Sequence, residues 1–313
     1  MPASPQAPSP PQIFDRDKLR RRRQAFARNY ADYDFLRARV SSDLETRVAD
    51  TPRIFEALLE LGGADGGLAR ALLAQNRAKS AVVGDTADLF LSAASANGLE
   101  TIFADEEALP FGTERFDLVI SPLTLHWVND LPGALVQIRR VLKPDGLFLG
   151  ALFGAGTLAE LREVLSEAET ELTGGLSPRL SPLPGLRDMA GLLQRAGFAL
   201  PVADRDTVTV RYKTPETLLR DLKGMGERAA FVPGVTRPLP RRVLARAMDL
   251  YKERFSDPDG RVRATFEIVH LSGWAPAPGQ PQPLKPGSAK ASMADAVKRA
   301  GNSGSENAGE EKS

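Results

Sequence analysis

The chain contains no cysteine. That absence removes disulfides, thiolate zinc sites, iron–sulfur ligation and a cysteine nucleophile together, and it is compatible with a reducing compartment. Histidine is nearly missing too: two residues in 313 argue against a histidine-built metal site. Neither charge sign prevails, since 41 Lys and Arg stand against 40 Asp and Glu for a net charge of +1. No overall field therefore favours nucleic acid or an anionic membrane, and a charged partner must be met by a local patch. The longest uncharged apolar-leaning run, 146–159, falls short of the roughly 18 residues a membrane span needs. A Pro/Ser/Ala tract stands where a signal peptide would carry its apolar core, and Asp15 and Asp17 suit an acid-poor transit peptide badly. The expectation is no cleaved targeting segment and a cytoplasmic location. The Ala/Arg/Pro/Gly-rich composition hints at a high-GC bacterial source.

Residues 1–12 and 276–313 are rich in Pro, Gly, Ser, Ala and charge. Such segments cannot bury enough apolar surface to offset ordering entropy, so both read as disordered tails. A short amphipathic helix at 289–300 is the one element expected in them. Between the tails, short apolar runs alternate with helical segments, the pattern of a parallel sheet covered by crossover helices. Strands are expected at 57–61, 81–84, 101–104, 116–121 and 147–153, with helices near 67–75, 87–97, 131–142 and 157–172. Five βα units in about a hundred residues specify an α/β, doubly wound sheet. Later come a Pro/Gly-punctuated loop at 174–185, a helix at 186–196 stopped by Gly197, and β-rich runs at 208–212 and 264–270. Helical segments near 215–225 and 240–254 separate those runs and are expected to cap the sheet's end.

The first βα turn, LLELGGADGG (58–67), sets Gly62, Gly63, Ala64, Gly66 and Gly67 after a strand. Glycines there let backbone approach a ligand and present helix-start N–H groups to negative charge, although a plain structural turn reads the same way. The spacing does not fit the dinucleotide pattern G-x-G-x-x-G. The next strand ends in VVGD, about twenty residues on. Asp85 there suits the two hydroxyls of a ribose, with Thr86 beside it as a further candidate cofactor contact, or an ordinary helix N-cap.

The run ADEEALPFGTERFDLVISPLTLHWVNDLPGALVQIRRVLKPDGLFLGALF (104–153) resembles the core of class I S-adenosylmethionine-dependent methyltransferases. The likeness lies in the acidic pair Asp105 and Glu106 before ALPF, the FDLVIS strand, LTLHWVND at its exit, and RRVLKPDGLF. It implies a Rossmann-like, seven-stranded, mostly parallel sheet with a reversed hairpin at one edge, and S-adenosyl-L-methionine as cofactor. Glu60 would face the methionine ammonium, Asp85 the ribose, and Asp105 the adenine amino group. Leu109 and Phe111 would flank the adenine, and Ser121 to Leu125 would line the sheet's carboxyl end, with Ser121 and Leu123 as cofactor contacts. The family pattern E/D-x-G-x-G-x-G is broken by Ala64; at positive φ its methyl costs on the order of 1 kcal/mol. Asp65 adds negative charge near a cofactor carboxylate. The whole reading requires the crevice between Glu60 and Gly67 to be open to ligand.

The segment IFDRDKLRRRRQAFARNYADYDFLRARVSSDLETRV (13–48) resembles the lid helices of the malonyl-acyl-carrier-protein methyltransferase of biotin synthesis. It equally resembles those of the complex I assembly factors that hydroxylate an arginine of an iron–sulfur subunit. The pieces at 180–212 and 264–276 are closer to the assembly-factor branch. This layout implies lid helices at 13–50 and a methyltransferase domain at 51–275 with helical insertions at 174–196 and 214–256. Tyr33 and His126 are candidate catalytic residues, the histidine as a base, and each has packing as its plain alternative. Tyr30 shares the lid reading, Trp127 walls the pocket, and His270 packs. The cluster of Lys18 and Arg20–Arg23 reads as a solvated helix face or as a surface for an acidic protein such as acyl carrier protein. The leading function is methyl transfer to a small molecule, carrier-bound acyl group or protein. The alternatives are hydroxylation of an arginine in a complex I subunit, and a non-catalytic cofactor-binding protein on the same fold.

Overall fold

The computed structural model describes residues 11–281. The tail expectations for 1–10 and 282–313, including the helix at 289–300, lie outside the described residues. Seven strands form one sheet: β1 (Leu58–Leu61), β2 (Ala81–Asp85), β3 (Glu100–Phe103), β4 (Phe116–Pro122), β5 (Leu142–Phe153), β6 (Ala199–Tyr212) and β7 (Val262–Trp274). Their order is β3-β2-β1-β4-β5-β7-β6. β1 to β5 pair in parallel, whereas β7 runs antiparallel between β5 and β6 and gives the reversed hairpin at the edge. The direction of winding reverses between β1 and β4, and ligands of open α/β sheets bind outside the strand ends at such a point.

The central strands LLEL and FDLVISP are buried at every residue, as expected of parallel strands covered on both faces. Adjacent residues point to opposite layers. Leu58 and Leu118 join one apolar cluster, and Leu59 and Val119 the other. Each such side chain contributes about 1.5–3 kcal/mol when fully buried. Helices α4 (Gly67–Ala74), α5 (Asp88–Ala96), α6 (Leu131–Val141), α7 (Ala159–Thr173) and α8 (Leu186–Arg195) cover the faces. Gly197, at φ +86°, ends α8. Between β6 and β7 lie α9 (Pro215–Gly224) and α10 (Arg241–Phe255).

β6 begins at Ala199, nine residues before the start expected from β-branched composition. Residues 199–207 carry Pro201, Asp204, Arg205 and Asp206, yet they pair with β7 from Trp274 to Glu267. Arg47 and Arg39 bind Asp204 and Asp206 at 2.6 and 2.7 Å. Tertiary pairing along a charged edge strand overrides local propensity here.

The N-terminal helices are α1 (Arg16–Ala27), α2 (Tyr30–Tyr33) and α3 (Phe35–Ala49). α3 buries Leu36, Arg37, Val40, Leu44 and Val48 and is part of the core. α1 buries only Phe26, which meets Phe90 edge-on at 5.6 Å. Its entry is pinned by the Asn129 side chain, which accepts the Ile13 and Phe14 N–H groups at 2.8 Å, and by an isolated bridge from Phe14 to Phe231.

Candidate active site

The turn after β1 is shaped by close contacts. Gly62 has φ +67°, and a Cβ there would lie 2.3 Å from the Thr124 methyl; Gly66 has φ +73°, and a Cβ there would lie 2.2 Å from Leu99. Glycine is required at both. Ala64 is also left-handed, at φ +52°, and fully buried, so the strain anticipated for it is present. Its N–H donates to Asp85 at 3.0 Å.

Acidic groups stand at three successive strand ends. Glu60, on β1, is 1% exposed; its Oε2 accepts the Ala69 N–H at 2.8 Å and its Oε1 lies 3.7 Å from Arg37. Burial pushes its carboxyl up to about 7, against the lowering influence of Arg37 and of the Ala69 N–H. Asp85, on β2, is fully buried. It does not serve as the N-cap side chain of α5, although its Oδ1 accepts the Ala87 N–H at 2.9 Å. Asp105 and Glu106 follow β3, Glu106 being buried and Asp105 partly exposed.

Asp105 and Glu106 line the hollow at this end of the sheet, whereas Glu60 and Asp85 are buried behind it, and the space against the carboxylates is not open. Arg23 of α1 grips Asp85 with Nε to Oδ1 at 2.7 Å and Nη2 to Oδ2 at 2.5 Å, and also donates to the Gly62 carbonyl at 2.8 Å. Arg16 donates to Asp105 and to Glu106, both at 2.6 Å, and to the Trp127 carbonyl at 3.1 Å. These carboxylates hold the Arg16 guanidinium above its ordinary pKa although burial opposes it. Arg37 donates to the Pro122 and Gly62 carbonyls at 2.7 and 2.6 Å. The hollow that remains, lined by Arg16, Arg23, Thr86, Thr124, Trp127 and Glu227 among others, holds about 140 Å³. Ligand pockets begin at roughly 300 Å³. The expectation of an open crevice is therefore overturned for this conformation, because α1 fills it with guanidinium groups.

Other expected residues fall elsewhere. Ser121 is fully buried with its Oγ 2.9 Å from Thr124 Oγ1, and Leu123, at φ +52°, packs in the core; Thr124, not these, lines the hollow. Tyr33 lies flat against Gly224 of α9, where a Cβ would come within 2.4 Å of its ring, so its surroundings are packing. Tyr30 packs edge-on against Phe26 and Phe90. Phe111 meets Phe116 edge-on, and His270 is buried in β7. The basic run is not a solvated face throughout: Arg20 lies over the Phe103 ring, Arg22 donates to the Arg228 carbonyl and Arg23 points inward.

His126, in a 3-10 turn after β4, is 4% exposed. Its Nε2 is 3.1 Å from Glu227 Oε2, which also accepts the Trp127 indole N–H at 3.1 Å. His126 Nδ1 has no hydrogen-bond partner among the described residues. His126 and Glu227 also line a second hollow with Phe153, Leu183 and Ser181, whose Oγ is likewise unpartnered. Glu227 thus borders both hollows. Among the described residues no cluster suited to a metal ion is found, and no helix is long and apolar enough to cross a membrane.

Residues 59–150 match the family described as methyltransferase domain. Similar proteins include the mitochondrial arginine-hydroxylase NDUFAF5 of Danio rerio, 41% identical over 300 residues covering 91% of this chain and 90% of that protein. The malonyl-[acyl-carrier protein] O-methyltransferase of Halorhodospira halophila is 34% identical over 282 residues, covering 88% of this chain and 92% of that protein. Among solved structures, the YcgJ protein of Bacillus subtilis shares the fold with a TM-score of 0.53 at 15% identity, over 74% of this chain and 97% of that one.

Proposed function

This chain belongs to the class I methyltransferase family, and we propose that it binds S-adenosylmethionine in the crevice beneath α1 and transfers its methyl group to an acceptor offered near His126 and Glu227. The carrying observation is the row of carboxylates Glu60, Asp85, Asp105 and Glu106 at successive strand ends, each already accepting N–H donors. An ammonium, a ribose diol and an adenine amino group bring donors of the same kind, so this acceptor set matches the cofactor's donors. The fit in space requires Arg16 and Arg23 to be exchanged.

When bound, the cofactor supplies a methyl group already activated as a sulfonium. The protein's part is then to align the acceptor and exclude water. The turn from Gly62 to Gly66 and the carboxylates would hold the cofactor. Trp127 walls the acceptor side. His126, held by Glu227 through Nε2, lines the second hollow, and its unpartnered Nδ1 would take the proton released by an N–H or O–H acceptor brought within reach of it.

A second reading is hydroxylation of a protein arginine such as one in a complex I subunit. It would require dioxygen and a two-electron reductant to be supplied from outside the described residues, which hold no metal-suited cluster, and is favoured by two observations. The arginine-hydroxylase of Danio rerio is 41% identical over 91% of this chain, against 34% over 88% for the malonyl-[acyl-carrier protein] O-methyltransferase, and the Glu227 carboxylate suits a cationic guanidino group better than a carrier-bound carboxylate. Calorimetry with S-adenosylmethionine and S-adenosylhomocysteine tests the cofactor reading; absence of heat with both defeats it. Intact-mass comparison of candidate acceptor proteins from cells with and without the gene separates the reactions. Loss of one methylene mass indicates methyl transfer, and loss of one oxygen mass hydroxylation.

A further inference from the structure

We propose that α1 is an arginine strap across the crevice: Arg16 and Arg23 hold the carboxylates that an adenosyl ligand needs, so that ligand enters by exchanging those guanidiniums and lifting α1. The inference rests on the crevice being the cofactor site and adds how the chain controls entry to it.

Arg16 and Arg23 lie seven residues apart, which places them on one face of a helix together with Leu19, Arg20 and Phe26. Each meets a different acidic position: Arg23 takes Asp85, and Arg16 takes Asp105 and Glu106. The two positions are those expected to hold ribose and adenine. Arg37 is different, because it is 6% exposed within α3 and binds backbone carbonyls, so it belongs to the floor of the crevice rather than to the strap.

The attachment of α1 is suited to exchange. Of its twelve residues only Phe26 is buried, whereas the fifteen of α3 bury five. Polar pairs and the anchors at Phe14 and Phe26 therefore hold α1, and an element with so few buried apolar contacts opens at lower free energy than the core. Release has a condition, however. Asp85 is fully buried, and leaving it without donors is costly, so Arg23 departs readily only for a ligand that brings replacement donors. Adenosine carries donors for both Asp85 and Asp105; methionine alone carries none that reach them. The strap thus selects the nucleoside half of the ligand.

Trp127 reports on α1, because its carbonyl accepts from Arg16 and its ring meets Phe14 edge-on at 5.4 Å. The sequence has two tryptophans, so Trp274→Phe leaves Trp127 as the sole emitter. In that background S-adenosylhomocysteine and adenosine are expected to shift Trp127 emission and raise its quenching by acrylamide, whereas methionine leaves both unchanged. Hydrogen exchange on the unsubstituted chain is expected to quicken at the α1 amides when S-adenosylhomocysteine is added. The Arg16→Gln/Arg23→Gln chain is expected to show the released emission without ligand and to bind S-adenosylhomocysteine at least about tenfold tighter, the equivalent of one charge-assisted hydrogen bond no longer displaced. Should the double variant not fold, Arg16→Gln alone and the exchange measurement carry the test. Binding without quicker exchange at α1, or with no gain in affinity in the arginine variants, overturns the strap and leaves the cofactor reading standing. No binding to any of these chains overturns the cofactor reading, and the strap with it.

Discussion

Arg23 of α1 and Asp85 of β2 form a two-pronged pair, at 2.7 Å from Nε to Oδ1 and 2.5 Å from Nη2 to Oδ2, that ties the N-terminal helix to the end of the sheet. Burial pushes the Asp85 carboxyl up, but the Arg23 charge and the N–H groups of Arg23, Ala87 and Ala64 outweigh it and hold Asp85 below the usual carboxylate range. The same pair holds Arg23 above its ordinary value although burial opposes it. Removing one partner strands the other, so Arg23→Met is expected to destabilise the chain by about 3 kcal/mol. Arg23→Met/Asp85→Leu is expected to lose less than the sum of its single changes, because neither charge is then left alone. A urea-unfolding cycle checks this; strictly additive single effects would show that the pair is not an energetic unit. A depressed folded pKa also means that this stabilisation is present above the unfolded Asp value and lost as pH falls through the folded one.

Glu60 behaves in the opposite sense. Its folded pKa of about 7, raised from 4.5 by burial, means that between these values the folded chain keeps a proton that the unfolded chain has released. Stability from this group is complete below the unfolded value and declines as pH rises toward 7, by up to about 3 kcal/mol. The melting temperature is expected to fall between pH 5 and 8 with a slope that Glu60→Gln flattens; an equal slope in both chains refutes the assignment. Since only the ionised carboxylate pairs well with an ammonium, S-adenosylhomocysteine is also expected to bind more tightly at pH 8 than at pH 6.

The parallel core was legible because LLEL and FDLVISP are short apolar runs after turn residues, too short for buried helices and of the kind that parallel strands covered on both faces use. The start of β6 was not, since Pro201 and its three charged neighbours find their place only through β7 and the arginines of α3. The strand-end position of Asp85 was readable from the glycine turn about twenty residues before it, and those of Glu60 and Asp105 from the resemblance to the methyltransferase core. Arg16 and Arg23 were not, because five basic residues within Lys18–Arg23 mask the helical face that Leu19 and Phe26 share with them. Glu227 carries no motif; it sits just beyond α9 and reaches His126 across 101 positions of sequence.

Tyr33, a candidate catalytic residue of the lid, is packed against α9. Its ring fills the space that any Cβ on Gly224 would need, at 2.4 Å. Gly224→Ala is therefore expected to destabilise the chain by about 1–3 kcal/mol through overpacking between α2 and α9. Tyr33→Phe, which keeps the ring, is expected to leave both stability and S-adenosylhomocysteine affinity within about 0.5 kcal/mol of the starting chain. A large loss of affinity in Tyr33→Phe would return the hydroxyl to the site.

Glu227 acts through its two neighbours. A carboxylate only accepts, so its 3.1 Å approach to His126 Nε2 calls for a proton on that nitrogen, which in a neutral ring leaves Nδ1 without one. Its other contact, to the Trp127 indole at 3.1 Å, fixes the wall between the hollows. Glu227→Gln retains a carbonyl for one of these donors and is expected to keep the fold. Glu227→Leu strands two N–H groups, at about 1–3 kcal/mol for each that stays buried and unpaired. With two histidines in the chain, nitrogen NMR resolves both rings, and His270→Gln identifies the remaining one. Protonated Nε2 and unprotonated Nδ1 are expected at His126 in the starting chain and in Glu227→Gln, against a mixture of tautomers in Glu227→Leu. If the leucine chain keeps a single tautomer, Glu227 does not set the imidazole, and the base must be sought on another side chain of the second hollow.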